Sequence, residues 1–402
     1  MQHLISLVGL LAILAIAFAF STARKAIRWR VVAWGLGFQL LLALFILKTA
    51  PGKKLFQILG TGITQLLDYS KVGSSFIFGK LVNDIPAMGF IFAFQVLPTI
   101  VFMASIISVL YYLGVVQKIV SFLAWLMTKT MGTSGAESLS SAACVFVGQV
   151  EGPLLVRPYI PEMTKSELMA LMTGGMATIA GGVMAAYLGM LGKDWAPALL
   201  AASIMGAPAG LVMAKIMVPE TEESKTAGGV KIEVERTESS VIEAAAKGAA
   251  DGMHLAFNVG AMLLAFISLV AMLNAGLGLV HLSMEQILGW IFSPLAFLIG
   301  VPMNEAMTVG NLIGQKLVLN EFVAYSQLTG LISNHQISER AAMITTFALC
   351  GFANFSSIAQ NVGGIGAMAP SRRGDLAKLG LRAMLAGALA SLSSAAIAGL
   401  LS

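Results

Sequence analysis

Apolar residues run along this chain in blocks separated by short polar turns, and the blocks are long enough to predict membrane-crossing helices, since a span needs roughly 20 mostly apolar residues. They lie at 4–20, 31–48, 85–113, 167–192, 195–214, 253–275, 341–362 and 380–401. Two further segments are apolar on one face only. In 54–69, Leu55, Ile58, Leu59, Ile63, Leu66 and Leu67 oppose Gln57, Thr61 and Gln65, and 114–129, with Lys118, Trp125 and Lys129, is similar. Both are expected to lie in the membrane interface. Residues 219–240 carry six Glu, two Lys and one Arg around Gly228-Gly229, the composition of a solvated cytoplasmic loop.

Two stretches are apolar but punctuated by polar residues. The first, 132–160, passes Ser138, Ser140 and Ser141, reaches Gly148-Gln149-Val150-Glu151-Gly152-Pro153, and ends at Arg157 and Pro158. The second, 302–326, runs from Pro302, Asn304 and Glu305 through Lys316 to Asn320-Glu321-Phe322. Each has room for two short helices around a polar tip, which suits a re-entrant hairpin, because irregular backbone survives at membrane depth only when buried in protein or lining a cavity. Each is followed by a span that opens on Ser-Glu, at Ser166 and Ser338, and sixteen residues after each Ser lie Gly182 and Asn354. Paired units of opposite orientation are the sequence mark of inverted repeats.

The expected fold is an all-α polytopic membrane protein with about eight spans, two re-entrant hairpins and interfacial helices. It divides into scaffold helices at 1–131 and 241–300, a first hairpin with its following spans at 132–218, the loop at 219–240, a second hairpin with a broken span at 301–368, and a last span at 369–402.

Composition agrees. With 57% hydrophobic and 11% charged residues and a mean hydropathy of +0.85, the chain has too little polar surface for a water-soluble domain. Arg24, Lys25, Arg28 and Arg30 follow the first span, which predicts a retained helix, a cytoplasmic first turn and, by parity, both termini outside a bacterial inner membrane. These flanks account for the net charge of +5, so nucleic acid is not an expected partner. Cys144 and Cys350 both lie in apolar surroundings and suggest neither a disulfide framework nor a metal centre.

The chemistry gathers at the polar tips. Asn320 is placed to cap a returning half-helix whose positive end would favour an ionised Glu321. Glu151 stands just before Pro153, a residue favoured in a first helical turn. Carboxylates at membrane depth mark substrate or ion pathways, the alternative being pairing with a basic neighbour for packing. Gly351-Phe352-Ala353-Asn354-Phe355-Ser356-Ser357 adds an amide, hydroxyls and aromatic faces. The set suits a neutral polyhydroxylated ligand with a flat ring.

Gly148-Gln149-x-Glu151 with Leu154-Leu155-Val156-Arg157-Pro158-Tyr159, then Lys316-Leu317-Val318-Leu319-Asn320-Glu321-Phe322-Val323-Ala324-Tyr325, then Gly351-Phe352-Ala353-Asn354-Phe355-Ser356-Ser357-Ile358 with Gly363-Gly364-Ile365-Gly366 together resemble the concentrative nucleoside transporter family. The resemblance implies a homotrimer that moves its hairpin domain like an elevator against a scaffold. It carries nucleobase contacts to Gln149 and Glu151, a packing contact to Val183, and ribose contacts to Glu321, Asn354 and Ser357, with Phe352 lining the site. Val150 stands where the family commonly has Thr, which touches base preference. In sodium-coupled members an Asn side chain helps to hold the ion, and the matching positions here are Cys144, Val147, Thr178 and Ile179. A thiol is a poor ligand for a hard cation, so the expectation is proton coupling through Glu151 or Glu321, with sodium at Val147, Thr178 and Ile179 as the alternative. Asp251 and His254 form a weaker candidate relay. No cofactor is implied. The competing functions are a carrier for another polar solute, such as a nucleobase or sugar, a passive channel, and an intramembrane hydrolase; against the last, no His-Glu-x-x-His or Gly-x-Ser-x-Gly occurs.

Overall fold

A computed structural model describes residues 2–84, 89, 91–227 and 238–402, and every regular element among them is helical. Helices α1 (Gln2–Ala19) and α2 (Trp29–Lys48) match the first two apolar blocks, and α3 (Ala50–Phe78) contains the first amphipathic segment. That helix runs well past both expected ends; Thr49 caps its start, accepting a hydrogen bond from the Gly52 amide. The block expected at 85–113 begins partly outside the described residues, and its described portion forms a helical turn at Phe92–Gln95 followed by α4 (Leu97–Tyr112). The second amphipathic segment is α5 (Val115–Met131), bounded by left-handed Gly114 and Gly132.

Next comes a hairpin of α6 (Gly135–Cys144) and α7 (Glu151–Leu154), followed by α8 (Lys165–Ala177) and α9 (Gly181–Leu191). The returning arm is a single helical turn continued by a 3-10 segment, Arg157–Glu162. That is less than the half-helix expected, because Pro153, Pro158 and Pro161 remove successive backbone donors. The apolar block at 167–192 is split, with Thr178 and Ala180 in extended conformation between its halves. Helix α10 (Ala196–Met217) follows. The Gly228-Gly229 break of the acidic loop lies outside the described residues.

Helix α11 (Val241–Leu277) starts twelve residues earlier than expected, capped by Ser240, and α12 (Met284–Leu298) begins with a capping box from Ser283 and Gln286. The second hairpin is α13 (Ala306–Val318) and α14 (Glu321–Ser333), and its return extends beyond the expected 326. After it the block at 341–362 is divided into α15 (Glu339–Leu349) and α16 (Phe355–Met368), and α17 (Arg373–Leu401) ends the fold. Seven helices or helical stretches among the described residues are long and apolar enough to cross a membrane. The eighth expected span is this divided pair.

Two hairpin-plus-broken-helix units therefore stand in one chain. Helix α17 packs against α1, α2, α8, α10, α15 and α16. Its run Ala386-Gly387-Ala388-Leu389-Ala390-Ser391 is buried, and such small side chains let helix backbones approach closely without water. By contrast, only 6% of the apolar window of α11 is buried, against 94% of that spanning α8 and α9. A helix that is apolar yet exposed faces lipid or another subunit.

Candidate functional site

The tips of the hairpins and the breaks in the spans meet in the interior. Gly148, at the first tip, has φ +119°, and Gly351, at the second break, has φ +115°, a region that L side chains rarely adopt. A Cβ on Gly351 would also meet the Met176 carbonyl. These positions turn the chain so that helix ends, with their unsatisfied amides and carbonyls, face the site.

Asn320 caps α14 by accepting from the Val323 amide at 3.0 Å, as its place before Glu321 suggested. Glu321 is buried in the first turn of α14, where the helix dipole favours a negative charge. Asn354 Nδ2 donates to its Oε2 at 2.8 Å, and the Tyr187 hydroxyl donates to its Oε1 at 3.0 Å. Asn354 has a second duty. Its Oδ1 caps α16, accepting from the Ser357 amide at 2.9 Å and the Ser356 hydroxyl at 2.7 Å. One amide thus fixes both the carboxylate and the start of the half-helix.

A second cluster adjoins it. Gln149 Nε2 donates to the Ser357 hydroxyl at 3.1 Å and to Gln360 Oε1 at 2.6 Å, while its Oε1 accepts from Asn361 Nδ2 at 3.0 Å. The Oδ1 of Asn361 is buried and meets no donor among the described residues, which leaves an acceptor for a ligand or water. A polar chain therefore runs from Gln149 through Ser357 and Asn354 to Glu321 and Tyr187. Val183 is buried on α9, one turn before Tyr187, and Phe352 is partly buried two residues before Asn354. Glu151 is different: it is exposed at the start of α7, and Val150 beside it is half-buried with its side chain against Gly364.

The second break is held by Lys316, fully buried on α13. Its Nζ donates to the carbonyls of Ala348 at 2.9 Å and Cys350 at 3.3 Å and to the Ser391 hydroxyl at 3.0 Å. A cation at the exposed carbonyl end of α15 is electrostatically favoured. At the first break the corresponding hold is neutral, the Ser203 hydroxyl donating to the Ile179 carbonyl at 3.1 Å.

Of the positions considered for the coupling ion, Cys144, Thr178 and Ile179 are fully buried and Val147 half-buried. The Thr178 hydroxyl donates to the Gly174 carbonyl at 2.9 Å. The Cys144 sulfur packs where a Cβ on Gly152 would stand. Asp251 and His254 are exposed on α11.

Sequence reasoning passed over Tyr187, Gln360 and Asn361. A signal existed for two of them: Tyr187 lies four residues after Val183 and Asn361 four after Ser357, which puts each on the site face of its helix. Lys316 figured only as part of a motif, since nothing local shows which carbonyls a buried lysine will reach.

Comparison with known proteins supplies the context. The family described as Na+ dependent nucleoside transporter matches residues 8–81 with its N-terminal part and 198–399 with its C-terminal part, and the one described as nucleoside recognition matches 93–194. The chain is 48% identical over 410 residues to the uncharacterized transporter YutK of Bacillus subtilis, covering 100% of both. It is 44% identical to the sodium/nucleoside cotransporter 1 of Mus musculus, covering 100% of this chain and 64% of the mouse protein. Among solved structures, CNTnw in an inward-facing substrate-bound state is 46% identical with a TM-score of 0.94, covering 100% of this chain and 98% of that one. A doubly substituted CNTnw in an outward-facing state gives 46% and 0.95, covering 100% and 99%.

Proposed function

The chain belongs to the concentrative nucleoside transporter family, and from that premise we propose that it imports nucleosides by cation symport, an activity of transport and not of catalysis. The observation that carries this reading is the buried chain of polar groups from Gln149 to Glu321. It offers an ionised acceptor and an amide at one end, suited to sugar hydroxyls, and neutral amides at the other, suited to the edge of a base. In this reading Glu321, Asn354 and Ser357 bind the ribose. Gln149 and Glu151 meet the base, Val150, Val183 and Phe352 line it, and Glu151, exposed here, turns inward as the hairpin closes on substrate.

The hairpins are re-entrant, and with α8–α10 and α15–α17 they make up a body that rides past a scaffold of α1–α5, α11 and α12 in elevator fashion. Three copies assemble through the scaffold, where the apolar surface of α11 is left exposed. Both termini lie outside a bacterial cytoplasmic membrane.

The proton coupling expected from Cys144 has no support in the family's description or in the mouse relative's name, both of which carry sodium. We therefore propose sodium as the coupling ion, held by the Thr178 hydroxyl and by carbonyls around Val147 and Ile179. With a thiol at Cys144 the oxygen set is one ligand short, so the ion binds weakly.

The test is uptake of radiolabelled uridine and adenosine into proteoliposomes under an inward sodium gradient or an inward proton gradient, imposed separately. Accumulation under sodium alone is expected. Accumulation under protons alone would overturn the ion assignment and leave the substrate class standing; no saturable nucleoside uptake under either would overturn the substrate class, and direct uptake of labelled nucleobase or labelled ribose would then identify the solute.

A further inference from the structure

Glu321 takes its second protein donor from the other repeat. Asn354 belongs to the same hairpin-plus-broken-helix unit as the carboxylate, but Tyr187 lies on α9, the second half of the first broken span. Its ring is fully buried, stacked on Tyr325 with centroids 4.4 Å apart and set edge-on to Phe322 at 4.8 Å. Tyr325 is fixed in turn, its hydroxyl donating to the Thr346 carbonyl at 2.8 Å. A tyrosine clamped in this way delivers its hydroxyl to one point.

We propose that Tyr187 is a positioning residue for sugar recognition: from the first repeat it fixes the plane and rotamer of the Glu321 carboxylate that accepts the nucleoside's ribose hydroxyls. This rests on the reading of Glu321 as a ribose contact. A carboxylate oxygen has two lone pairs, so Oε1 can accept from Tyr187 and a sugar hydroxyl together. The tyrosine never needs to leave, and with the carboxylate ionised its bond is of the stronger, charge-assisted kind. Without it Oε1 would lose its side-chain donor from the first repeat, and the carboxylate could turn more freely about its last torsion, held on the other side by Asn354. The loss would fall on hydroxyl recognition and spare contacts to the base.

The test is equilibrium binding to purified full-length protein in lipid nanodiscs, using uridine, 2′-deoxyuridine and 3′-deoxyuridine on wild type, Tyr187→Phe, Glu321→Gln and the double variant. Phenylalanine keeps the ring packing, so the thermal midpoint serves as the folding control. Tyr187→Phe is expected to weaken uridine about tenfold, the scale of one hydrogen bond to a charged group. At least one deoxy analogue should lose less than twofold, so that the discrimination between ribose and deoxyribose narrows. On the Glu321→Gln background the same change should add little. Equal weakening of all three ligands would mean a merely structural tyrosine and overturn the proposal, as would unchanged uridine affinity. Normal uridine binding by Glu321→Gln would bring down the ribose site itself, and this proposal with it.

Discussion

The two hairpin units share a plan and differ in what they hold at the tip. In the second, a long regular return helix presents the carboxyl of Glu321, held by donors from both repeats, and a buried lysine secures the adjoining break. In the first, a one-turn return presents a neutral Gln149 held by amides and a hydroxyl, and the adjoining break is secured by a serine. Duplicated architecture thus supplies a symmetric frame, and side chains make it asymmetric. A nucleoside has one end rich in hydroxyls and one flat heteroaromatic end, and the two tips differ in the same sense.

The sharpest way to break the comparison is to replace the buried carboxyl of the second tip with an amide like that of Gln149 in the first. In Glu321→Gln the amide oxygen can keep the bond from Asn354 Nδ2, but the new NH2 group replaces the oxygen that accepts from Tyr187, so the tyrosine hydroxyl must turn round and accept. Uridine uptake should fall by roughly 100-fold, from the loss of a carboxylate acceptor for the sugar hydroxyls and of its set orientation, with membrane expression unchanged. Uptake within twofold of wild type would show that charge at the second tip is dispensable.

Next in size is the hold on the second break. Lys316→Met keeps most of the apolar length of the side chain and removes the cation; the Ser391 hydroxyl still donates to the Cys350 carbonyl, so among the described residues the Ala348 carbonyl is the group left without its donor. A buried unpaired group costs about 1–3 kcal/mol, so the thermal midpoint should drop by a few degrees. Uptake should fall about tenfold, because Asn354 lies four residues beyond Cys350 and its position depends on that turn. Ser203→Ala at the first break is the matched control; it leaves one buried carbonyl without a neutral donor and should cost about 1 kcal/mol, the low end of that range. Equal losses in the two variants would erase the difference between the units.

At the first tip, Asn361→Ala removes the donor to Gln149 Oε1 and the buried Oδ1 that meets no protein donor. A fivefold change in the ratio of uridine to adenosine uptake is expected, on the order of one neutral hydrogen bond, with deoxyribose discrimination intact. A change in that discrimination instead would move Asn361 to the sugar end.

These expectations draw on parts of the molecule that were unequally legible in the sequence. The apolar blocks, the Asn320 cap and the division of the chain into two similar units follow from periodicity and capping chemistry, which are local. Helix ends were less so: α11 starts at Val241 and not near 253 because a capping serine, and not hydropathy, sets its beginning. Most opaque were groups brought together by tertiary packing. Nothing near Tyr187 in sequence indicates that it will reach Glu321, 134 residues away, nor that Lys316 will reach the Ala348 carbonyl 32 residues on. The polar breaks marked Gln149, Glu321, Asn354 and Ser357 and the resemblance to the family gave them roles, yet the donors that hold them come from the fold.

The smallest expected effect concerns the ion, and it lies wholly in the first unit. A hard monovalent cation favours oxygen ligands, and Cys144 offers sulfur where sodium-coupled relatives are taken to offer an amide. Two of the remaining oxygens already serve the protein, since the Thr178 hydroxyl donates to Gly174 and the Ile179 carbonyl accepts from Ser203. Each keeps a lone pair for an ion, but neither is free to reorient. Cys144→Asn would restore a side-chain oxygen, and its benefit is limited by space, because the sulfur already fills the volume left by the missing Cβ of Gly152. The half-saturating sodium concentration for uridine uptake should therefore fall only about threefold, on the order of one weak ligand, while Glu321-dependent ribose discrimination stays as in wild type. If wild type and variant alike ignore sodium and follow an imposed pH gradient, the cation reading fails. The cysteine then marks a first unit that has given up its metal, and the second unit's carboxylate becomes the proton's place to ride.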